Sequence, residues 1–82
     1  MSTEPLSPHQ LSVIGLGYVG LPLAIALARN YNVVGYDLSV RRVESLRAGH
    51  DWTHEVPDAD VASTTCRFES NAAAMEGSDL YV

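Results

Sequence analysis

Three glycines in six positions, Gly15, Gly17 and Gly20, separate two apolar stretches of different character. On one side "LSVIGLG" is short and carries the β-branched pair Val13 and Ile14, the composition of a buried strand. On the other, residues 19–30 are too many for a strand and rich in Ala and Leu, so they are expected to be helical. Pro22 is tolerated only in the first turn of a helix, where its missing N–H has no intrahelical partner, and this sets the helix start within a residue or two of Gly20. A strand, a glycine turn and a helix apolar on nearly every side leave few folds open, because the helix must fold back and be buried.

The remaining chain repeats the alternation. "NVVGYD" is a second strand ending in Asp37. Ser39 is placed to cap a helix over residues 40–48, Val40, Val43 and Leu46 form its apolar stripe, and Gly49 stands where a C-terminal cap belongs. "HDWTHEVPDADVAS" is polar and interrupted by Pro57, which predicts a loop with room for one helical turn. "TCRFES" is a third strand, "NAAAMEGS" a short helix begun by Asn71, and "DLYV" the opening of a fourth strand that the C-terminus cuts off. Strands alternating with helices predict the α/β class: a Rossmann-like parallel sheet with helices on both faces, truncated in its fourth strand. Residues 1–10, with two prolines, one acid and no basic residue besides a histidine, are expected to be a flexible leader, and residues 11–82 a partial NAD-binding domain.

The glycine spacing carries a specific chemistry. In G-x-G-x-x-G between a strand and a helix, Gly15 permits the tight turn, Gly17 lets the backbone approach a pyrophosphate, and Gly20 lets the helix press on the sheet. The free N–H groups of the first helical turn, with backbone contributions from Tyr18 and Val19, form the seat. The helix dipole adds roughly 0.3–1 kcal/mol for an anion there. Asp37 ends the next strand 17 residues after Gly20, where a carboxylate accepts hydrogen bonds from ribose hydroxyls. Its charge opposes the extra phosphate of NADP, so NAD is the expected cofactor. Asp37 could equally cap the helix starting near Ser39, and the two roles are compatible. Arg42, one turn into that helix, has a side open to the adenosine but on sequence alone is a solvated arginine.

Several functions are excluded by what the chain lacks. Its net charge is −5 and its five basic Lys and Arg side chains are scattered arginines, so nucleic acid is not an expected partner. The longest apolar run, residues 21–28, contains Pro22 and falls far short of the roughly 20 residues that cross a bilayer, so no membrane contact is expected and the chain is expected in the cytoplasm. The single cysteine, Cys66, cannot form an intrachain disulfide and suits a buried, inert thiol in a strand. His50 and His54 echo H-E-x-x-H, but they follow the Gly49 helix stop and have no evident third ligand, so no metal is expected. Trp52 reads as the anchor of its loop.

With "VIGLGYVGLPLAIALA", "VVGYDLSVRRVESLRAGHD" and "SDLYV" in hand, the chain resembles the amino-terminal part of the UDP-glucose/GDP-mannose dehydrogenase family from about residue 11 to residue 82. The G-Y-V-G-L-P continuation is more specific than the bare glycine spacing, and "LRAGHDWTHEV" looks most like members acting on UDP-N-acetylhexosamines. The resemblance implies a protein that uses NAD twice to oxidise a sugar C6 alcohol to a carboxylate, through an aldehyde and a cysteine thioester. It assigns Gly15, Leu16, Gly17, Tyr18, Val19 and Gly20 to the pyrophosphate loop, Asp37 to the ribose, and Arg42 to the neighbourhood of the adenosine. The family's nucleophilic cysteine and its lysine, asparagine and aspartate helpers match nothing here, and Cys66 does not match the nucleophile. No catalytic residue is therefore expected in this chain. A UDP-sugar is a partner only of a longer protein, the chain alone is expected to be inactive, and its open sheet edge is expected to favour self-association. Two alternatives share the fold: a regulatory NAD-sensing domain of the kind that gates potassium transport, and another NAD or FAD oxidoreductase domain. The former commonly has Arg where this chain has Tyr18, and FAD binding favours Glu at position 37.

Overall fold

A computed structural model describes residues 9–82. The elements are β1 (Leu11–Ile14), α1 (Gly20–Ala28), β2 (Val33–Tyr36), α2 (Val40–Arg47), α3 (Asp58–Ser63), β3 (Arg67–Glu69), a 3-10 turn (Ala72–Met75) and β4 (Leu80–Tyr81). The four strands form one parallel sheet in the order β3-β2-β1-β4. Two successive crossovers run one way from β1, and the third returns past it, so the chain reverses direction across the sheet between β1 and β4. Right-handed crossovers then place α1 and α2 on one face and the 3-10 turn on the other.

Strand alternation divides the sheet accordingly. Leu11, Val13, Val33 and Phe68 face the helices and meet Leu21, Ala24 and Ile25 of α1, Val43 and Leu46 of α2, and Val61 of α3 in one buried cluster. On the opposite face Ser12 is fully buried, with its hydroxyl against that of Ser78 in the β3–β4 connection. Gln10 reaches the same connection, donating to Ser78 Oγ at 2.7 Å and accepting from Arg67 at 2.7 Å. The fold thus takes in Gln10, which the sequence placed at the end of the leader; residues 1–8 of that leader lie outside the described residues.

Local signals set the helix ends. Ser39 caps α2 by accepting the Arg42 amide at 3.2 Å, and Gly49 follows the helix with φ +87°. The segment expected as a loop contains α3, opened by Pro57 and carrying Asp58 and Asp60 in its first turn, an arrangement that suits a helix N-terminus. The short helix begun by Asn71 is a single 3-10 turn, with Asn71 Oδ1 accepting the Ala73 amide at 2.9 Å. Among the described residues no helix is long and apolar enough to cross a membrane.

Candidate functional site

β1 delivers the chain into the glycine loop with a sharp reversal. Gly15 adopts φ +90°, a region that L side chains rarely enter, and donates its amide to Tyr36 O at 2.8 Å. A Cβ on Gly20 would collide with the carbonyl of Gly15. The third glycine therefore lets the start of α1 close onto the first glycine, a tighter contact than packing of the helix on the sheet requires. Gly17 has neither constraint: its φ is not positive, and a Cβ there meets nothing within 4 Å. No atom of the described residues accounts for a glycine at this position.

The amides divide into spent and free. The resemblance sets Leu16 in the pyrophosphate loop; its N–H donates to Asp37 Oδ2 at 2.9 Å and its carbonyl accepts from Arg42 Nε at 2.7 Å. Its side chain is fully buried beside Gly35, where a Cβ would sit 2.9 Å from Leu16 Cδ2. Leu16 is thus the anchor of the loop and offers no free donor. The N–H groups of Gly17, Tyr18, Val19 and Gly20 have no acceptor among the described residues. Tyr18 and Val19 are 67% and 79% exposed, so their side chains do not pack on the core. Beside them is an open hollow of about 400 Å³ bordered by Gly15, Gly17, Val19, Gly20 and Val82.

Asp37 stands at the C-terminal end of β2, half-buried, and joins the glycine loop to the start of α2. Oδ2 accepts the Leu16 amide and Oδ1 accepts the Ser39 amide, each at 2.9 Å. Its own amide donates to Glu69 O at 3.1 Å, which ties it to the end of β3. Each carboxylate oxygen keeps acceptor capacity beyond one bond, so the acid remains able to take a hydroxyl donor.

Arg42 corrects the expectation of a solvated side chain. It is 3% exposed, and besides the Leu16 carbonyl it binds Asp51 Oδ1 through Nη1 at 2.8 Å. Its guanidinium carbon lies 5.3 Å from the centroid of the Trp52 ring, which covers it from the solvent side as a half-exposed lid. Nη2 is buried with no acceptor among the described residues.

Asp51 is the residue that sequence reasoning passed over. Burial of its side chain raises the carboxyl pKa, but donation from Thr53 Oγ1, the Thr53 amide, Arg42 and the Val56 amide outweighs this and holds it well below the ordinary carboxylate range. The Glu55 amide, at 2.9 Å, is a further donor. The signal was present in "DWT": Asp followed two positions later by Thr is the spacing at which an acid accepts both the hydroxyl and the amide of the second residue.

The two discounted sites have structural accounts. His54 has φ +57° and lies outside any helix, so the histidines do not share a helical face; their rings meet edge-on with centroids 5.9 Å apart, and His50 Nδ1 lies 3.1 Å from Asp58 Oδ1. Cys66 is buried beneath Gly35, and that burial pushes its thiol up to about 11.

Four amides without an acceptor among the described residues, open space over Gly17 and an acid at the end of the adjacent strand fit a dinucleotide, with β1 standing where the strand order reverses. Comparison with known proteins agrees. The chain matches the NAD binding domain of the UDP-glucose/GDP-mannose dehydrogenase family over residues 9–81. It is 46% identical over 74 residues to the UDP-N-acetyl-D-glucosamine 6-dehydrogenase of Pseudomonas aeruginosa, spanning 89% of this chain and 18% of that protein. It is 33% identical over 74 residues to the protein CapL of Staphylococcus aureus, spanning 90% of this chain and 18% of that one. A solved structure of a UDP-D-ManNAc dehydrogenase from Pyrococcus horikoshii superposes with a TM-score of 0.76 at 28% identity, over 88% of this chain and 19% of that one. The chain therefore spans about a fifth of the length of the relatives it matches. These matches do not favour the potassium-transport or general NAD/FAD readings. Fold, glycine loop, strand-terminal acid and the match over residues 9–81 together show that the chain belongs to the UDP-glucose/GDP-mannose dehydrogenase family and is an NAD binding domain of that family.

Proposed function

We propose that this chain is the NAD-binding part of a cytoplasmic dehydrogenase that oxidises the C6 alcohol of a UDP-N-acetylhexosamine to the carboxylate. The free amides of residues 17–20 over an open hollow carry this reading. They would receive the NAD pyrophosphate, and Asp37, already oriented by Leu16 and Ser39, would accept the adenosine ribose hydroxyls. When bound, NAD supplies the hydride acceptor. This chain's own residues bind and orient it, and none is assigned a role at the sugar carbon. The names of the relatives support the hexosamine substrate. We also propose that copies associate through the free edge of β4, where Leu80, Tyr81 and Val82 are each about half exposed.

Calorimetric titration with ADP-ribose, NAD and NADP tests the cofactor reading. ADP-ribose and NAD are expected to bind with similar affinity and NADP more weakly. A folded chain with no heat from ADP-ribose overturns the proposed site, and equal affinity for NADP removes the role given to Asp37.

A further inference from the structure

We infer that Asp51 and Arg42 are positioning residues for cofactor binding: through the Leu16 carbonyl they fix the direction in which the Gly17 N–H points. The inference rests on the reading of residues 17–20 as the diphosphate seat.

The geometry follows from the peptide plane. In a trans peptide the carbonyl of one residue and the N–H of the next point in opposite directions. Arg42 Nε draws the Leu16 carbonyl into the protein at 2.7 Å, so the N–H of Gly17 is turned outward, where it meets no acceptor among the described residues. Asp37 fixes the preceding peptide by holding the Leu16 N–H at 2.9 Å. The peptides on both sides of Leu16 are thereby set by side chains from the second strand and second helix. Gly17 has no side chain to restrict its own backbone, so this external hold replaces the restriction that another residue would supply.

Arg42 is in turn immobilised from behind. Its side chain is 4% exposed and that of Asp51 is 0% exposed, and Asp51 is itself fixed by the amides of Thr53, Glu55 and Val56 and the hydroxyl of Thr53. The loop after α2 is thus wound around one carboxylate whose remaining function is to aim a guanidinium at the glycine loop. A buried ion pair is often replaceable by apolar side chains without loss of stability. Arg42 also keeps an idle buried donor in Nη2. Fold stability alone is therefore a weak reason for this pair, whereas orientation of Leu16 accounts for both the bond and its place. The basic residue that the family resemblance set beside the adenosine acts, on this reading, from beneath the loop.

The test uses the 82-residue chain as wild type, Arg42→Met, Asp51→Asn and Arg47→Met. The last breaks another arginine–acid pair of α2, with Glu69 at 2.7 Å, that does not touch the loop. Two readouts are taken: the Gly17 amide resonance of the unliganded proteins by 1H–15N NMR, and the ADP-ribose dissociation constant by calorimetry. In Arg42→Met and Asp51→Asn the Gly17 resonance is expected to shift and broaden and the dissociation constant to rise roughly tenfold or more, while Arg47→Met matches wild type in both. Arg42→Lys, which keeps a cation beside Asp51 but has no Nε for the Leu16 carbonyl, decides the matter by the same two readouts if Arg42→Met and Asp51→Asn do not fold. A Gly17 resonance unchanged in Asp51→Asn, or an equal loss of affinity in Arg47→Met, overturns the inference. If wild type binds no ADP-ribose, the proposed function fails, and the Gly17 resonance alone still judges the positioning role.

Discussion

The carboxylate of Asp37 accepts the Leu16 amide at 2.9 Å, so the acid that ends β2 is bonded directly to the loop that ends β1. The two halves of the site, glycine turn and strand-terminal acid, are one hydrogen-bonded unit held by the chain's own groups. Their sequence separation is bridged because β1 and β2 pair in register, Ile14 opposite Tyr36, which brings the residues just beyond each strand side by side. A ligand that bonds to both therefore meets groups whose ordering has already been met by folding.

Asp37→Ala removes a ribose acceptor and the clasp on Leu16 together. Loss of a hydrogen bond to a charged group is worth roughly 1.5–3 kcal/mol, so ADP-ribose affinity is expected to fall about tenfold or more. The same change removes the repulsion of a 2′-phosphate, which at contact distance near a surface is roughly 4 kcal/mol or less. The ratio of NADP to NAD affinity should therefore rise in the variant, even as both ligands bind less tightly. Titration of the two proteins with both dinucleotides measures this, and a ratio identical to wild type would remove Asp37 from the ribose site.

Gly17 and Gly20 are expected to respond in opposite ways to the same methyl group. In Gly20→Ala the new Cβ meets the Gly15 carbonyl, so α1 must be displaced, with a loss of at least roughly 1–3 kcal/mol of stability. In Gly17→Ala the Cβ enters open space, and stability is expected to stay within about 0.5 kcal/mol of wild type. Binding is expected to suffer in Gly17→Ala, because the methyl stands where the diphosphate must approach. Urea melts paired with ADP-ribose titrations separate the two effects. Normal affinity in a folded Gly17→Ala protein would show that the ligand does not lie against that residue.

The legible parts of this fold were those whose cause lies within a few residues. Gly15, Ser39, Gly49 and Asn71 announce turns and caps through their own backbone or side-chain preferences, and each stands at such a position. Asp37 was legible because a strand-terminal acid has few places to point. Arg42 and Asp51 were not. An arginine one turn into a helix is ordinarily solvated, and only the packing of the 50–56 segment against α2 decides that this one is buried. The engagement of the Leu16 amide was not legible for the same reason: whether an amide is free depends on what lies opposite, and Asp37 is 21 residues away. α3 runs beyond the single turn for which the 50–63 segment left room, and its extent was not legible because six residues with one buried apolar side chain, Val61, show no periodicity.

Cys66 offers a check on packing beneath the sheet. Burial pushes its thiol from an ordinary 9.0 up to about 11, so the neutral form is favoured by folding. That contribution is complete below pH 9.0 and is lost as pH rises toward 11. At pH 8 the folded protein should hold about a hundredfold less thiolate than the unfolded chain and react correspondingly more slowly with iodoacetamide. Alkylation rates with and without urea report this, and equal rates would mean that the thiol is not enclosed.

Asp51 governs the behaviour of the fold in acid. Its folded pKa lies below the ordinary value of 3.8, so its contribution is present above that value and is lost as pH falls through it toward the folded one. Asp51→Asn keeps the shape and one acceptor oxygen but leaves Arg42 as an uncompensated buried cation, at a cost of roughly 3–5 kcal/mol at neutral pH. Below about pH 4 the carboxyl binds a proton in the unfolded chain while the folded protein keeps it ionised, so the wild type progressively loses this advantage. The difference in stability between wild type and Asp51→Asn is therefore expected to be constant from pH 7 to about pH 5 and to narrow steadily below it. Urea denaturation at intervals from pH 7 to pH 2.5 follows the narrowing, and a difference that does not change with pH would mean that Asp51 is not the group that binds protons as the fold is lost.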